Sequence, residues 1–92
     1  MIPRSAVITM QKLDPHALTI LDSDHAEPVD SWAVCHYERL LTERPDEDTD
    51  PILVIQDEQG RSRVRRGRHR VLANRNVNRP YVLAMVYPEE LP

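Results

Sequence analysis

The chain has 92 residues, the size of one domain, so we expect a single domain over residues 1–92 and exclude a two-domain protein. Its formal net charge is −3, which excludes a uniformly basic nucleic-acid coat protein. Apolar residues make up 40% and aromatic residues 4%, so we expect a small core of Val, Ile and Leu with Trp32 and the three tyrosines.

The first predicted element is a strand. Residues 6–13 (AVITMQKL) are rich in β-branched and apolar side chains, and Asp14-Pro15 follows them with a sequence that favours a turn. Residues 16–22 fit either a short second strand or a helical turn. Residues 22–28 have the composition of a loop.

The second predicted element is a helix. Asp30 or Ser31 is a suitable N-cap, and the helix is expected to extend to about Glu43. Its apolar residues recur at the spacing of a single helical face, which consists of Ala33, Val34, Tyr37, Leu40 and Leu41. Arg44-Pro45 ends the helix, and residues 46–50 form an acidic loop.

The second half of the chain predicts a hairpin, a helix and a strand. Residues 51–56 are a continuous apolar run, residues 57–60 a turn and residues 61–66 a polar strand, which together indicate a β-hairpin. A short helical pattern over 69–77 precedes the most hydrophobic run, 81–87, which predicts a buried strand. This order is typical of an α+β domain in which helices cover a small mixed β-sheet.

The charge of the chain is strongly polarised. Residues 61–80 contain eight arginines and no acidic residue, whereas residues 22–58 contain twelve carboxylates and two arginines. One interpretation is that the two blocks pair with each other. The other is that the arginines bind phosphate, for which the planar guanidinium is suited. In the second case the candidate nucleic-acid contacts are Arg61, Arg63, Arg65, Arg75 and Arg79.

The junction between the polar strand and the second helix favours an anion. Gly67 stands where the strand turns into the helix, and free N–H groups at a helix start attract phosphate. The candidate phosphate-binding residues are Arg66, Gly67, Arg68, His69 and Arg70. We expect the arginines around His69 to favour its neutral form, which would hydrogen-bond a phosphate. The alternative is that Arg68 and Arg70 pair with the acidic loops.

The stretch from Pro51 to Pro88 resembles the ParB/sulfiredoxin superfamily. The shared features are an apolar strand beginning with Pro, a hairpin, a G-x-(H/R)-R-x-x-A helix start and a final apolar strand. The residues that match this helix start are Gly67, His69, Arg70 and Ala73. The resemblance implies a ParB/sulfiredoxin-like fold. It also implies a nucleotide, CTP or ATP with Mg²⁺, because the equivalent ParB segment binds nucleotide phosphates.

The sequence departs from both branches of the superfamily. Arg68 stands where sulfiredoxins carry a reactive cysteine, so sulfinic-acid reduction is not expected. ParB partition proteins add a helix-turn-helix module and a dimerising tail, which we do not expect in a chain that ends at Pro92. Sequence-specific DNA loading is therefore not expected either.

Other chemistries have weaker support. Asp46, Asp48 and Asp50 resemble the opening of a calcium loop, but Pro51 occupies the position that requires glycine, so no metal site is predicted. The four histidines lack zinc spacing. Trp32, Tyr81 and Tyr87 are too separated to stack bases and are expected in the core. The lone Cys35, the lack of a secretory signal and the absence of a membrane-length apolar run favour a cytoplasmic protein with no membrane partner.

Three hypotheses of function follow. The first is a nucleotide-binding ParB-like module that acts in a nucleic-acid-related process. The second is a DNA-binding accessory of a plasmid or phage, or a metal-dependent nuclease whose nearest carboxylates are Asp57 and Glu58. The third is a non-enzymatic interaction domain with a vestigial pocket, which would dock a protein partner or a second copy of itself. Whether the chain catalyses a reaction is left open.

Overall fold

The computed structural model describes residues 8–45 and 50–89. Four strands form one mixed sheet in the order β1-β4-β2-β3, and they are β1 (Thr9–Leu13), β2 (Ile52–Gln56), β3 (Ser62–Arg66) and β4 (Val82–Pro88). β4 runs parallel to β2 and antiparallel to β1, and β2 and β3 form an antiparallel hairpin. Two helices complete the fold, α1 (Ser31–Glu43) and α2 (Arg68–Asn76). The predicted α+β class and the order of elements are confirmed.

The segment between β1 and α1 combines the two structures that its sequence allowed, a helical turn and a strand. Pro15–Ala17 and Asp22–Asp24 are short 3-10 turns. Between them, Thr19 forms a single parallel bridge with Arg63 on the outer edge of β3. Its N–H donates to the carbonyl of Ser62, and its own carbonyl accepts from Val64. The edge of β3 is therefore partly covered by this segment.

The main core lies on the face of the sheet that α2 covers. Alternate residues of β4 point into it, and Val82, Ala84 and Val86 are all nearly inaccessible. The cluster is completed by residues of four other segments: Ile52 and Val54 of β2, Val64 of β3, Val71 of α2 and Leu18 from the segment between β1 and α1. The strand predicted over 81–87 is confirmed, but it is fully buried on this face only, because the residues between these three are half-buried.

A second cluster joins the two helices. Val34 and Leu41 of α1 pack with Ala73 of α2, and Tyr37 lies against them. The expectation that Trp32 lies in the core is wrong, since its side chain is 84% exposed. Trp32 stands two positions before Val34, which is a rotation of about 200° around a helix and places Trp32 on the far side.

The predicted start of α1 is confirmed, and neither α1 nor α2 is long. α1 begins after Asp30, whose carboxylate accepts from the N–H of Trp32 at 2.9 Å, as its sequence predicts. In the parts of the chain that the structure describes, no helix has the length and apolarity to cross a membrane. The acidic loop predicted over 46–50 lies outside the described residues except for Asp50.

Candidate anion-binding site at the start of helix α2

Gly67 closes the turn between β3 and α2. Its φ of 99° lies in the left-handed region, which side chains with a Cβ disfavour. A Cβ at this position would also lie 2.5 Å from Cγ2 of Ile52, the first residue of β2. Conformation and space therefore both require glycine here, and the backbone of the turn packs directly on the sheet.

The first turn of α2 carries no cap. Gly67 has no side chain to accept from the helix, and the turn contains no acidic residue. The first backbone hydrogen bond of the helix runs from the N–H of Val71 to the carbonyl of Gly67 at 3.1 Å. The N–H groups of residues 68–70 precede it, so they have no partner within the helix and are donors for an anion.

His69 joins the starts of the two helices. Its Nε2 accepts a hydrogen bond of 3.0 Å from the backbone N–H of Asp30, the N-cap of α1. An imidazole that accepts at Nε2 is neutral and carries its proton on Nδ1. The expected hydrogen bond from His69 to a phosphate would therefore have to come from Nδ1, because Nε2 is occupied.

The environment of His69 favours that neutral form. Burial lowers the pKa of its imidazole, and the positive charge of Arg68 lowers it further, while the carboxylate of Asp30 acts in the opposite direction. The expected direction is confirmed. The largest cause, however, is desolvation and not the crowding of arginines that the sequence suggested.

Arg68 and Arg70 hold the start of α2 in place. Arg68 is only 6% exposed and donates from Nη2 to the backbone carbonyl of Glu27. Arg70 donates to the carbonyl of Asp50, and its guanidinium lies 5.9 Å from the ring centroid of Tyr37. Both arginines contact the acidic segments, as one of the two interpretations predicted. They do so through backbone carbonyls, and neither pairs with a carboxylate of residues 8–45 and 50–89.

Arg66 differs from its neighbours in the cluster. It is exposed at the end of β3, where its backbone pairs with Leu53, and its guanidinium forms no hydrogen bond or ion pair with any of residues 8–45 and 50–89. Of the five residues predicted to bind phosphate, Arg66 is the one whose guanidinium is uncommitted in this part of the chain. A ligand at the start of α2 would find this charge one residue before Gly67.

The structure distributes the other arginines over several places. Arg61 pairs with Asp57 in the hairpin turn at 2.7 Å, and Arg63 lies 3.5 Å from Asp24. The remaining three donate to backbone carbonyls: Arg65 to Asp24, Arg75 to Pro15 and Leu18, and Arg79 to Pro45. The five candidate nucleic-acid contacts therefore do not form one continuous group of free cations.

Two cavities of about 320 Å³ lie at the other end of the sheet. Both include Asp57 and Glu89 in their lining, beside the last residues of β2 and β4. The start of α2 packs on Ile52, so the length of β2, about 13 Å, separates these cavities from it. Their carboxylates are unfavourable for a phosphate, and Arg61 and Arg63, which line one of the cavities, already pair with carboxylates. The start of α2 is therefore the candidate site.

Comparison with known proteins gives matches by structure. No family model matches the sequence, and no curated protein matches it. A crystal structure of the C-terminally truncated chromosome-partitioning protein ParB from Caulobacter crescentus, complexed with CTP-gamma-S, superposes with a TM-score of 0.69 at 15% identity. It covers 91% of this chain and 46% of the ParB chain. Sulfiredoxin from Arabidopsis thaliana superposes with a TM-score of 0.67 at 17% identity, covering 88% of this chain and 86% of that one.

This chain has a ParB/sulfiredoxin-like fold. The resemblance inferred from the Gly67 motif is thereby confirmed for the fold. The chain spans less than half of the ParB chain that it matches. At these identities the likeness is one of architecture, a mixed four-stranded sheet with two helices.

Within this ParB/sulfiredoxin-like fold, three residues lie at the site that the sequence did not assign to it. Asp30 was expected only as an N-cap, and Tyr37 only as part of an apolar helical face. His25 is close enough to influence the charge of His69. These contacts join residues far apart in the chain, so spacing in the sequence carries no sign of them.

No three His, Cys, Asp or Glu side chains within 8–45 and 50–89 cluster as a metal site would require.

Proposed function

We propose that this protein is a ParB-like module that binds a nucleotide through its phosphates at the start of α2. The observation that carries the proposal is the uncapped first turn of α2, held against the sheet by Gly67. Backbone N–H groups at a helix start, together with the positive end of the helix dipole, are a common way to bind phosphate. The CTP-gamma-S in the ParB neighbour supports a nucleotide as the ligand.

In this proposal the predicted residues divide into two roles. The N–H groups of residues 68–70 donate to phosphate oxygens, and the exposed guanidinium of Arg66 supplies an additional charge. Arg68 and Arg70 position the turn, because their guanidinium groups already bind the carbonyls of Glu27 and Asp50. His69 keeps the two helix starts together and offers Nδ1–H as a further donor.

The proposal favours a nucleotide over a nucleic-acid backbone. A phosphate track needs several free cations along one surface, and most of the arginines here donate to the chain's own carbonyls or pair with its carboxylates. A role in a nucleic-acid-related process remains part of the proposal, with the nucleotide as the ligand. For Mg²⁺, the described residues offer no cluster of carboxylates, so we assign no metal ligand to the chain.

Thermal unfolding tests the proposal directly. The protein is melted at fixed salt with CTP, ATP, GTP, pyrophosphate or a short DNA duplex. A ligand at about 100 times its Kd adds about 2.7 kcal/mol, which raises the Tm of a domain this small by several degrees. Trp32, the single tryptophan, lies two residues from the contact between Asp30 and His69, so its fluorescence gives a second readout.

A matched pair of variants locates the binding. Arg66→Glu reverses the exposed charge beside Gly67 and should abolish the nucleotide shift. Arg39→Glu reverses an exposed charge on α1, where Arg39 pairs only with Glu43 among described residues, and should leave the shift intact. A shift with DNA alone, a shift that both variants retain, or no shift with any phosphate compound would overturn the proposal.

A further inference from the structure

The sheet has a second apolar face, turned away from α2. Leu53 and Ile55 of β2 and Leu83, Met85 and Tyr87 of β4 alternate with the buried core residues and are themselves half-buried. None of them belongs to either core cluster. Met10 of β1, 55% exposed, extends the same surface, which we call the open face. A contiguous apolar surface of this kind on a small protein indicates an interaction site.

Strand register shows how the open face is bordered. Met10, Met85, Leu53 and Arg66 are successive cross-strand neighbours in one row, and Tyr87, Ile55 and Arg63 form the next. Each row therefore ends in an arginine on β3.

The opposite border of the open face is also cationic. Lys12 of β1 is the register partner of Leu83, and its ammonium group lies 4.6 Å from the ring centroid of Tyr81. The rows defined by register contain no carboxylate. On the β3 border, Asp24 and Glu89 pair with Arg63, so the positive charge on that side rests on Arg66. The open face is thus an aliphatic strip between two cationic edges.

We infer that the open face docks an acidic amphipathic helix of a partner protein. Such a helix would lay its aliphatic side on Leu53, Met85 and their neighbours. The carboxylates at its flanks would meet Lys12 on one border and Arg66 on the other. Arg66 borders both this surface and the first turn of α2, whereas Met85 and Lys12 belong to the open face alone. Variants of Met85 and Lys12 therefore test the inference independently of nucleotide binding.

Charge and chemistry select this occupant over two others. A second copy packed face to face would bring the cationic borders of both copies together, which opposes association. Single-stranded nucleic acid binds to sheets by stacking bases on aromatic rings, and Tyr87 is the single aromatic residue in the rows that register defines. Leucine, isoleucine and methionine instead fit the apolar side chains of a protein segment.

A pair of synthetic peptides tests this inference. The first is a labelled amphipathic helix with leucines on one side and glutamates at both flanks, and the second carries lysines in place of the glutamates. Fluorescence anisotropy measures binding, and ¹H–¹⁵N spectra locate it. We expect the glutamate peptide to bind, to shift the amides of β2 and β4, and to weaken with salt. The lysine peptide should not bind.

Variants and their matched controls decide the location. Met85→Glu should weaken binding about tenfold, as the loss of a central anchor does, and Lys12→Glu should weaken it by removing a border charge. Val29→Glu, just before α1, is the control for Met85→Glu, and Arg39→Glu, on α1, is the control for Lys12→Glu. Each control places a glutamate at an exposed position and should leave binding unchanged. If circular dichroism shows that Met85→Glu is unfolded, the exposed Lys12→Glu carries the comparison.

Four outcomes would overturn the inference. They are equal binding of the two peptides, no binding of the glutamate peptide, an effect of the α1 controls equal to that of the open-face variants, and amide shifts confined to the start of α2. Dimerisation that Met85→Glu abolishes would assign the open face to a second copy. Shifts of the same amides by an oligonucleotide would assign it to nucleic acid.

Discussion

Nε2 of His69 accepts a hydrogen bond from the backbone N–H of Asp30, 39 residues earlier in the chain, at 3.0 Å. α1 begins directly after Asp30, and His69 is the second residue of α2. One imidazole therefore fixes the distance between two helix N-termini, each of which is the positive end of its helix.

Replacement of His69 by leucine should cost about 1 kcal/mol of folding free energy. The variant leaves the N–H of Asp30 without its acceptor, and a hydrogen bond of this kind contributes about 0.5–1.5 kcal/mol. Urea denaturation of His69→Leu against the native chain measures the loss. His16→Leu, at an exposed site in a 3-10 turn, is the control and should leave the midpoint unchanged. Equal midpoints for the native chain and His69→Leu would contradict a structural role for the ring.

Stability should depend on pH through His69. Burial, with the charge of Arg68, lowers the pKa of its imidazole below the ordinary 6.5, against the opposing effect of Asp30. The contribution of neutral His69 to folding stability is fully present above the pKa that its imidazole has in the unfolded chain. It falls as the pH drops below about 6.5, because the unfolded chain then takes up the proton more readily. Urea midpoints from about pH 7.5 to about pH 5 should fall further in the native chain than in His69→Leu. Parallel losses in the two proteins would rule out His69 as the group responsible.

Alanine substitutions at the two glycines distinguish the cost of a strained backbone conformation from the cost of a steric clash. Gly67→Ala places a Cβ 2.5 Å from Ile52 in a left-handed turn, and we expect a loss of about 2–4 kcal/mol. Gly60→Ala has a similar φ, 81°, but its Cβ would meet nothing within 4 Å, so only about 1 kcal/mol should be lost. Denaturant unfolding of both variants measures the difference. Losses of the same size would mean that Ile52 yields to the new methyl group.

Arg75 should contribute more to stability than an arginine in a surface ion pair. It donates to two carbonyls in the segment before α1, those of Pro15, at 2.7 Å, and Leu18, and both residues are buried. Arg75→Met leaves these acceptors unpaired and should cost about 2–4 kcal/mol. Arg61→Met, which removes an ion pair whose arginine side chain is 76% exposed, should change stability by less than about 1 kcal/mol. Comparable effects in the two variants would indicate that water replaces the contacts of Arg75.

Local patterns account for the parts of the fold that sequence predicts well. The N-cap at Asp30, the apolar run of β2 and the turn before Arg61 each depend on residues close together in the chain, and the structure confirms them. The same holds for Gly67, whose conformation follows from its place between a strand and a helix.

The missed features depend on distant neighbours. Sequence shows that Arg68 carries a charge but not that its partner is the carbonyl of Glu27, 41 residues away. Trp32 was expected in the core because the chain has few aromatic residues and no Phe, yet its phase on α1 places it outside. The open face was not predicted because β4 is apolar along its length, and such a run does not distinguish the face that α2 covers from the opposite face.

The choice of carbonyl oxygens as partners for the arginines leaves the acidic side chains unconstrained by these contacts. Arg65, Arg68 and Arg70 bind the backbone of Asp24, Glu27 and Asp50. A carbonyl does not titrate and is present whatever side chain its residue carries, so these attachments persist in acid and survive replacement of the acidic residues. The backbone therefore holds these three arginines in place, and the charge on the side chains of Asp24, Glu27 and Asp50 can change without breaking the contacts.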